Sequence, residues 1–447
     1  MEKKDYIAKI SDLSAEQIVE GIFKGIVTFD ELKKTIEFYS DKQKIVKTLL
    51  EKKDDVAFDS ATTIEELQKY LQVFPNGKHA LEAQAKSKQL QDEKNAEEKK
   101  RNERERMLRG IKEDINEYTP DEIIDKLSSE DLDDLCRELG IDTQIIKNYR
   151  EPVLKFNDTP ESESDIPVGY TDIFFWGIPS SGKTCALSVI FNTIKKDYAM
   201  EAPDCEKKFG ATYRDSLINI FLKKDWGYLP GRTNQDRTQY MPFLFYKYGE
   251  KNKRKISFFE LSGEVFKYFY EVANNSRIID DVDREDIERS FQTLKLLLKS
   301  NNQKIHFFFI DYNQETKHTE DRNGLTQSNY LEAAATYFRD NNEIFKKKTD
   351  AVYVVVTKSD EIRGSDSNRV TNAKTFLNEN FYSFMSVLKN QCERYSVDFK
   401  VKVFSIGNVY FKKICKINRL YSTDIIDDLL IRVKSVSDSK LKNFLNS

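Results

Sequence analysis

Glycine and proline are scarce in this chain, at 16 and 9 of 447 residues. Ordinary usage is about 7% and 5%. So few turn residues exclude a turn-dense β-sandwich, a flexible low-complexity linker and anything collagenous, and point to long helices. The five cysteines, Cys136, Cys185, Cys205, Cys392 and Cys415, show no C-x-x-C spacing; an odd, scattered set fits reduced intracellular thiols. Three dispersed histidines, His79, His306 and His318, are too few for a metal cluster. Lys+Arg and Asp+Glu nearly balance, 72 against 75, which removes the broad electrostatic case for nucleic acid or a membrane surface as ligand. No apolar segment follows Met1-Glu2-Lys3-Lys4-Asp5, and apolar runs such as Phe307 to Ile310 and Ala351 to Val356 are far short of the ~20 residues of a spanning helix. The expectation is a cytoplasmic protein without a membrane span.

What is present divides the chain in two. A hydroxyl residue followed three places later by Glu or Gln recurs at Ser14/Gln17, Thr28/Glu31, Thr63/Glu66 and Thr119/Glu122. That pattern satisfies two orphan backbone donors at a helix start. Apolar residues follow at helical spacing, as in Ile18, Ile22 and Ile26 or Leu67, Leu71 and Phe74, and Pro75-Asn76-Gly77 breaks one such run. The spacing predicts helical hairpins over 1–90 and a small helical module over 111–150. Between them, 91–110 carries charges of both signs and reads as a solvated helical linker laced with i,i+4 pairs. A second, Ser- and acid-rich linker covers 151–168. From 169 to 447 apolar strands alternate with helical stretches: Ile173–Trp176, Ile256–Phe259, His306–Ile310, Ala351–Val356 and Lys402–Ser405. This is an α/β pattern, a mostly parallel sheet flanked by helices, preceded by an all-α region.

Gly177-Ile178-Pro179-Ser180-Ser181-Gly182-Lys183-Thr184 fits G-x-x-x-x-G-K-[ST], the phosphate-binding loop (P-loop), between a predicted strand and a predicted helix. Glycines let successive N–H groups converge on an anion, and the helix N-terminus adds its dipole. Lys183 is expected on the β- and γ-phosphates and Thr184 on Mg²⁺. In so glycine-poor a chain, chance matches number on the order of 0.01.

Thr357-Lys358-Ser359-Asp360, at the end of a strand, resembles the [N/T]-K-x-D guanine motif of the Ras-like GTPases. Guanine presents two adjacent donors that one carboxylate accepts, which assigns Asp360 to the base edge and the Lys358 stem to its face. Ser405-Ile406-Gly407 is similar to the final base-contacting turn of these proteins. Glu260-Leu261-Ser262-Gly263-Glu264 stands in the place of D-x-x-G, whose acid meets Mg²⁺ and whose glycine meets the γ-phosphate. Glu260 departs from the usual Asp by one methylene. Glu264 occupies the place of the water-orienting glutamine; a carboxylate beside the γ-phosphate is repelled unless it is paired or protonated, and the expectation is slow intrinsic hydrolysis. In Leu229-Pro230-Gly231-Arg232-Thr233-Asn234-Gln235-Asp236-Arg237-Thr238, either Thr233 or Thr238 is the candidate to close over Mg²⁺ and the γ-phosphate.

Together 169–447 resembles a Ras-like P-loop GTPase, most closely the bacterial double-GTPase-type families of conflict and defence loci. Tyr70 to Ala83 looks like a TPR-like hairpin, and Leu127 to Asp142 faintly resembles adaptor modules of such systems. The resemblance implies GTP/GDP and Mg²⁺ as ligands and a switch whose helical region contacts protein partners, with nucleotide-dependent self-association left open. The rivals are a pseudo-GTPase scaffold that binds nucleotide with little turnover and, more weakly, an ATPase.

Overall fold

The computed structural model describes residues 3–36, 40–155, 159–203, 209–223, 225–231, 238–250 and 252–433, and resolves two compact units, 1–113 and 114–447.

The first unit is helical because its start signals work. Ser14 and Thr63 form reciprocal capping boxes with Gln17 and Glu66, and Thr28 does the same with Glu31. The apolar stripes they launch bury Ile18, Val19, Leu32 and Val46 in one cluster and Phe58, Leu67, Tyr70 and Phe74 in another. The helix Ile64–Val73 ends before Pro75, and a single helix then runs from Ala80 to Glu113. Its charged middle is solvent-exposed, with Lys99–Glu103 and Arg101–Glu105 one turn apart.

The second unit begins with short helices, Pro120–Lys126, Ser129–Leu139 and Thr143–Lys147. It then forms a seven-stranded sheet from β1 (Thr171–Trp176), β2 (Tyr198–Glu201), β5 (Gln239–Lys247), β6 (Arg254–Glu260), β7 (Gln303–Asp311), β8 (Thr349–Thr357) and β9 (Asp398–Phe404). The order is β2-β5-β6-β1-β7-β8-β9. All neighbours from β6 to β9 are parallel, and β5 runs against both β6 and β2. A smaller antiparallel sheet, β10-β11-β4-β3, joins β3 (Phe221–Lys223) and β4 (Trp226–Tyr228) to β10 (Gly407–Tyr410) and β11 (Ile414–Ile417).

Side-chain alternation sorts the aromatic strands onto two faces. Phe175 meets Phe258, Phe307 and Phe309, and Phe258 in turn meets Phe191 of the helix Lys183–Asp197. Trp176 and Phe308 point the other way, onto Phe338 of the helix Gln327–Asp340. Both faces are covered, so the strands read as continuous apolar runs rather than alternating ones.

His306 sits in this core. Its neutral ring accepts from Trp176 Nε1 at 3.1 Å and faces Thr349 Oγ1 at 3.2 Å. Burial, with the Lys304 charge nearby, pulls its pKa down to about 3. The unfolded ring takes up a proton near pH 6.5, whereas the folded ring does not until about pH 3. Stability is therefore complete above pH 6.5 and falls by up to about 1.4 kcal/mol per pH unit below it. Melting curves between pH 6.5 and 5 should fall more steeply for the wild type than for His306→Asn; equal slopes would contradict this assignment.

Candidate phosphate-binding site

β1 lies where successive strands diverge to either side, the position at which open α/β sheets form ligand crevices. It ends at Trp176, and the helix Lys183–Asp197 starts at Lys183. Between them Gly177, Ser180 and Gly182 take positive φ values of 147°, 63° and 85°. Left-handed residues alternating with ordinary ones make the concave run of N–H groups that binds anions. A Cβ on Gly177 would come 2.8 Å from the Phe309 carbonyl, so the loop's close seat on the end of β7 needs glycine.

Lys183 is buried, and its Nζ donates to the carbonyls of Gly177 (2.7 Å) and Ile178 (2.8 Å). Burial lowers its pKa to about 8, against the opposing pull of Glu260 and Glu264. A poorly solvated ammonium at a helix N-terminus gains strongly from an arriving anion.

Thr184 Oγ1 donates to Glu260 Oε1, and Tyr213 Oη donates to Oε2 at 2.6 Å. Tyr213 belongs to the helix Ala211–Asn219. The longer Glu260 side chain thus still reaches Thr184. Burial pushes the Glu260 pKa up, while both hydrogen bonds and Lys183 oppose the shift.

Gly263 opens the helix Gly263–Asn274, capped by Ser262 Oγ accepting from Val265 N at 3.2 Å. A Cβ there would lie 2.1 Å from Pro179 N. Gly263→Ala must push the loop and helix apart, and fluorescent-nucleotide titration should show affinity reduced about tenfold or more; unchanged affinity would mean that this contact does not shape the site.

Glu264 is paired. Lys267 Nζ lies 3.5 Å from it and 2.9 Å from Asp321 Oδ2, which also accepts from Tyr330 Oη at 2.5 Å. A cavity of about 550 Å³ connects the P-loop residues 178–184 with Tyr213, Gln239, residues 260–264, Lys267, Asp321 and Tyr330.

On the other flank, Thr357 Oγ1 donates to the Ser181 carbonyl at 3.0 Å, tying the end of β8 to the P-loop. Lys358 adopts left-handed backbone (φ 54°) and pairs with the buried Asp311 at 2.7 Å. Asp360 is exposed in the turn Ser359–Glu361. After β9, Gly407 N donates to Ser405 Oγ at 3.1 Å, and the Ile406 carbonyl accepts from Asn418 N. Lys358, Asp360, Ser405 and Ile406 lie outside the lining of the cavity.

Thr238 is buried immediately before β5 and does not line the cavity, whereas its neighbour Gln239 does. Thr233, like Arg232 and Arg237, lies outside the described residues. Cys185 lines the cavity, but burial pushes its thiol up to about 12, which makes it unreactive. Tyr213, Gln239, Lys267, Asp321 and Tyr330 escape sequence reasoning: Tyr213, Asp321 and Tyr330 come from segments distant from the motifs, and Gln239 and Lys267, although next to them, match no motif position.

The small sheet adds a structural link. Leu229 N donates to the Lys413 carbonyl at 2.6 Å, so the chain leading into 232–238 is bonded to the β10–β11 turn. The short helices pack on this sheet: Tyr228 Oη donates to the Ile145 carbonyl at 2.7 Å, its ring lies 5.1 Å from that of Tyr149, and Lys413 pairs with Glu151 at 3.0 Å.

No family model and no curated protein matches the chain. Among solved structures, the chain is similar to one in the SRb-GTP/SRX complex of the signal recognition particle receptor from Chaetomium thermophilum, with 15% identity over 54% of this chain and 92% of that one, TM-score 0.27. It is also similar to a structure described as nucleolar GTP-binding protein 1 from Plasmodium falciparum, with 11% identity over 62% and 97%, TM-score 0.24. At such values the fold assignment rests on the strand order and loop geometry of this chain. Among the described residues no helix is long and apolar enough to cross a membrane.

Proposed function

We propose that the chain is a guanine-nucleotide-binding switch that hydrolyses GTP slowly with Mg²⁺ and contacts partner proteins through its helical region. The observation that carries this reading is the Thr357–Ser181 hydrogen bond, which joins the guanine-type motif to the phosphate loop. Base and phosphate subsites then lie side by side, as one nucleotide requires.

In this reading Lys183 leaves its carbonyl partners for the β- and γ-phosphates, and the Gly263 N–H meets the γ-phosphate. The donor set fits Mg²⁺: Thr184 donates its hydroxyl hydrogen bond to Glu260, which leaves its oxygen lone pairs facing away, and both groups are hard oxygens. When bound, the ion would neutralise charge developing between the β- and γ-phosphates. Lys267 offsets the Glu264 charge, yet Glu264 has no amide with which to orient water, which supports slow turnover. Thr238 or Thr233 would close the site. The regions 1–90 and 111–150, with their linkers 91–110 and 151–168, serve partner contact, and 169–447 binds nucleotide. Because the short helices of 120–147 pack against the sheet that continues into Leu229, a nucleotide-dependent change beyond Leu229 would have a direct route to them. Bacterial defence signalling in the cytoplasm is the setting the sequence resemblance suggests.

Competition of GTP, ATP and xanthosine triphosphate against a fluorescent guanine nucleotide tests the reading. GTP should win by at least about a hundredfold; equal competition by ATP sinks the guanine assignment. A carboxylate at Glu264 in place of a water-orienting amide also favours a second reading, a nucleotide-binding scaffold with almost no turnover, and single-turnover hydrolysis with Mg²⁺ separates the two.

A further inference from the structure

We propose that the open edge of β9 is a docking site for an extended acidic segment of a partner protein, added to the seven-stranded sheet as an eighth strand. β9 is the last strand of that sheet, bonded to β8 on one side. A groove of about 520 Å³ runs along its other side. Four successive residues, Phe399 to Lys402, line it. Neighbours in a strand point to opposite faces, so a groove that touches all four follows the backbone edge itself. That edge carries a row of N–H and C=O groups, which an extended chain satisfies and a compact ligand does not.

The walls define the occupant. Val370, Lys374 and Asn378 recur every fourth residue on the helix Asp366–Asn380, and Met385 and Lys389 do so on the helix Tyr382–Tyr395, so each helix turns one stripe towards the groove. The stripes pair aliphatic contact with a lysine at the rim.

Lysines on an edge strand commonly serve only to block unwanted pairing. Here the two on the strand are already neutralised: Lys400 by Asp428 at 3.4 Å, Lys402 by Asp428 at 3.0 Å and by Asp424 at 2.5 Å, the one acid that lines the groove and itself consumed by that pair. Lys374 and Lys389, on the flanking helices, make no ion pair among the described residues, and Lys389 sits over the Phe399 ring at 5.9 Å. Two uncompensated cations beside an apolar strip and an open edge match an acidic, partly aliphatic strand. They are too few, with one aromatic ring among them, for a nucleic-acid track.

Fluorescence anisotropy of the full-length protein with a short labelled peptide of alternating glutamate and valine tests this, with its lysine–valine counterpart as control. The acidic peptide should bind and the basic one should not. Binding should slow amide exchange at 399–402. The double variant Lys374→Glu/Lys389→Glu should weaken the acidic peptide about tenfold or more and gain the basic one, a swap that a misfolded protein does not produce. Equal binding of both peptides, binding without slowed exchange at 399–402, or displacement of the acidic peptide by a single-stranded oligonucleotide overturns the proposal.

Discussion

Lys183→Ala is expected to abolish nucleotide binding at micromolar concentrations. The native ammonium is buried and already stripped of water, held by the Gly177 and Ile178 carbonyls. A nucleotide's phosphates offer two or more charge-assisted bonds in that dry setting, each worth about 1.5–3 kcal/mol. Losing them costs about 4 kcal/mol, roughly a thousandfold in affinity. The fold should survive, because the side chain serves the loop rather than the aromatic core, and alanine leaves the freed carbonyls to water. Titration of a fluorescent guanine nucleotide, with a melting curve to confirm folding, measures both. Affinity kept within about threefold would mean that the loop holds no phosphate.

The contrast between what was legible and what was not follows from distance along the chain. Helix starts at Ser14, Thr63 and Thr119 are local hydrogen-bond patterns, and all form as read. The P-loop is local too, and in so glycine-poor a chain its two glycines stand out. Central strands such as His306–Ile310 are apolar throughout because both faces are covered. The small sheet gave no such signal: β3 and β4 are three residues each, too short for a period, and although they pair with each other, the partner on the other side of β4 is β11, nearly two hundred residues on. The same holds for the site. Lys183, Thr184 and Glu260 could be named from motifs, whereas Tyr213 on Glu260 and Asp321 beneath Lys267 are known only from contacts that folding makes. Thr357 was named for its place in a base motif, and its bond to Ser181 adds a structural duty.

That double duty shapes the variant that decides base identity. Thr357 and Lys358 are both tied into the fold, one to Ser181 and the other to Asp311, so changing either disturbs the phosphate loop or a buried carboxylate. Asp360 is exposed and offers the clean test. A carboxylate presents two acceptors to the N1–H and exocyclic amine of guanine. An asparagine presents one acceptor and one donor, the complement of xanthine, which carries a carbonyl where guanine has its amine. Asp360→Asn should therefore weaken GTP about a hundredfold, leaving one guanine donor facing an amide donor, and should strengthen xanthosine triphosphate by a similar factor. ATP should be unaffected, which distinguishes a change in base reading from damage to the phosphate site. Competition titrations with the three nucleotides on both proteins give the answer, and a GTP preference that survives the substitution would remove Asp360 from the base edge.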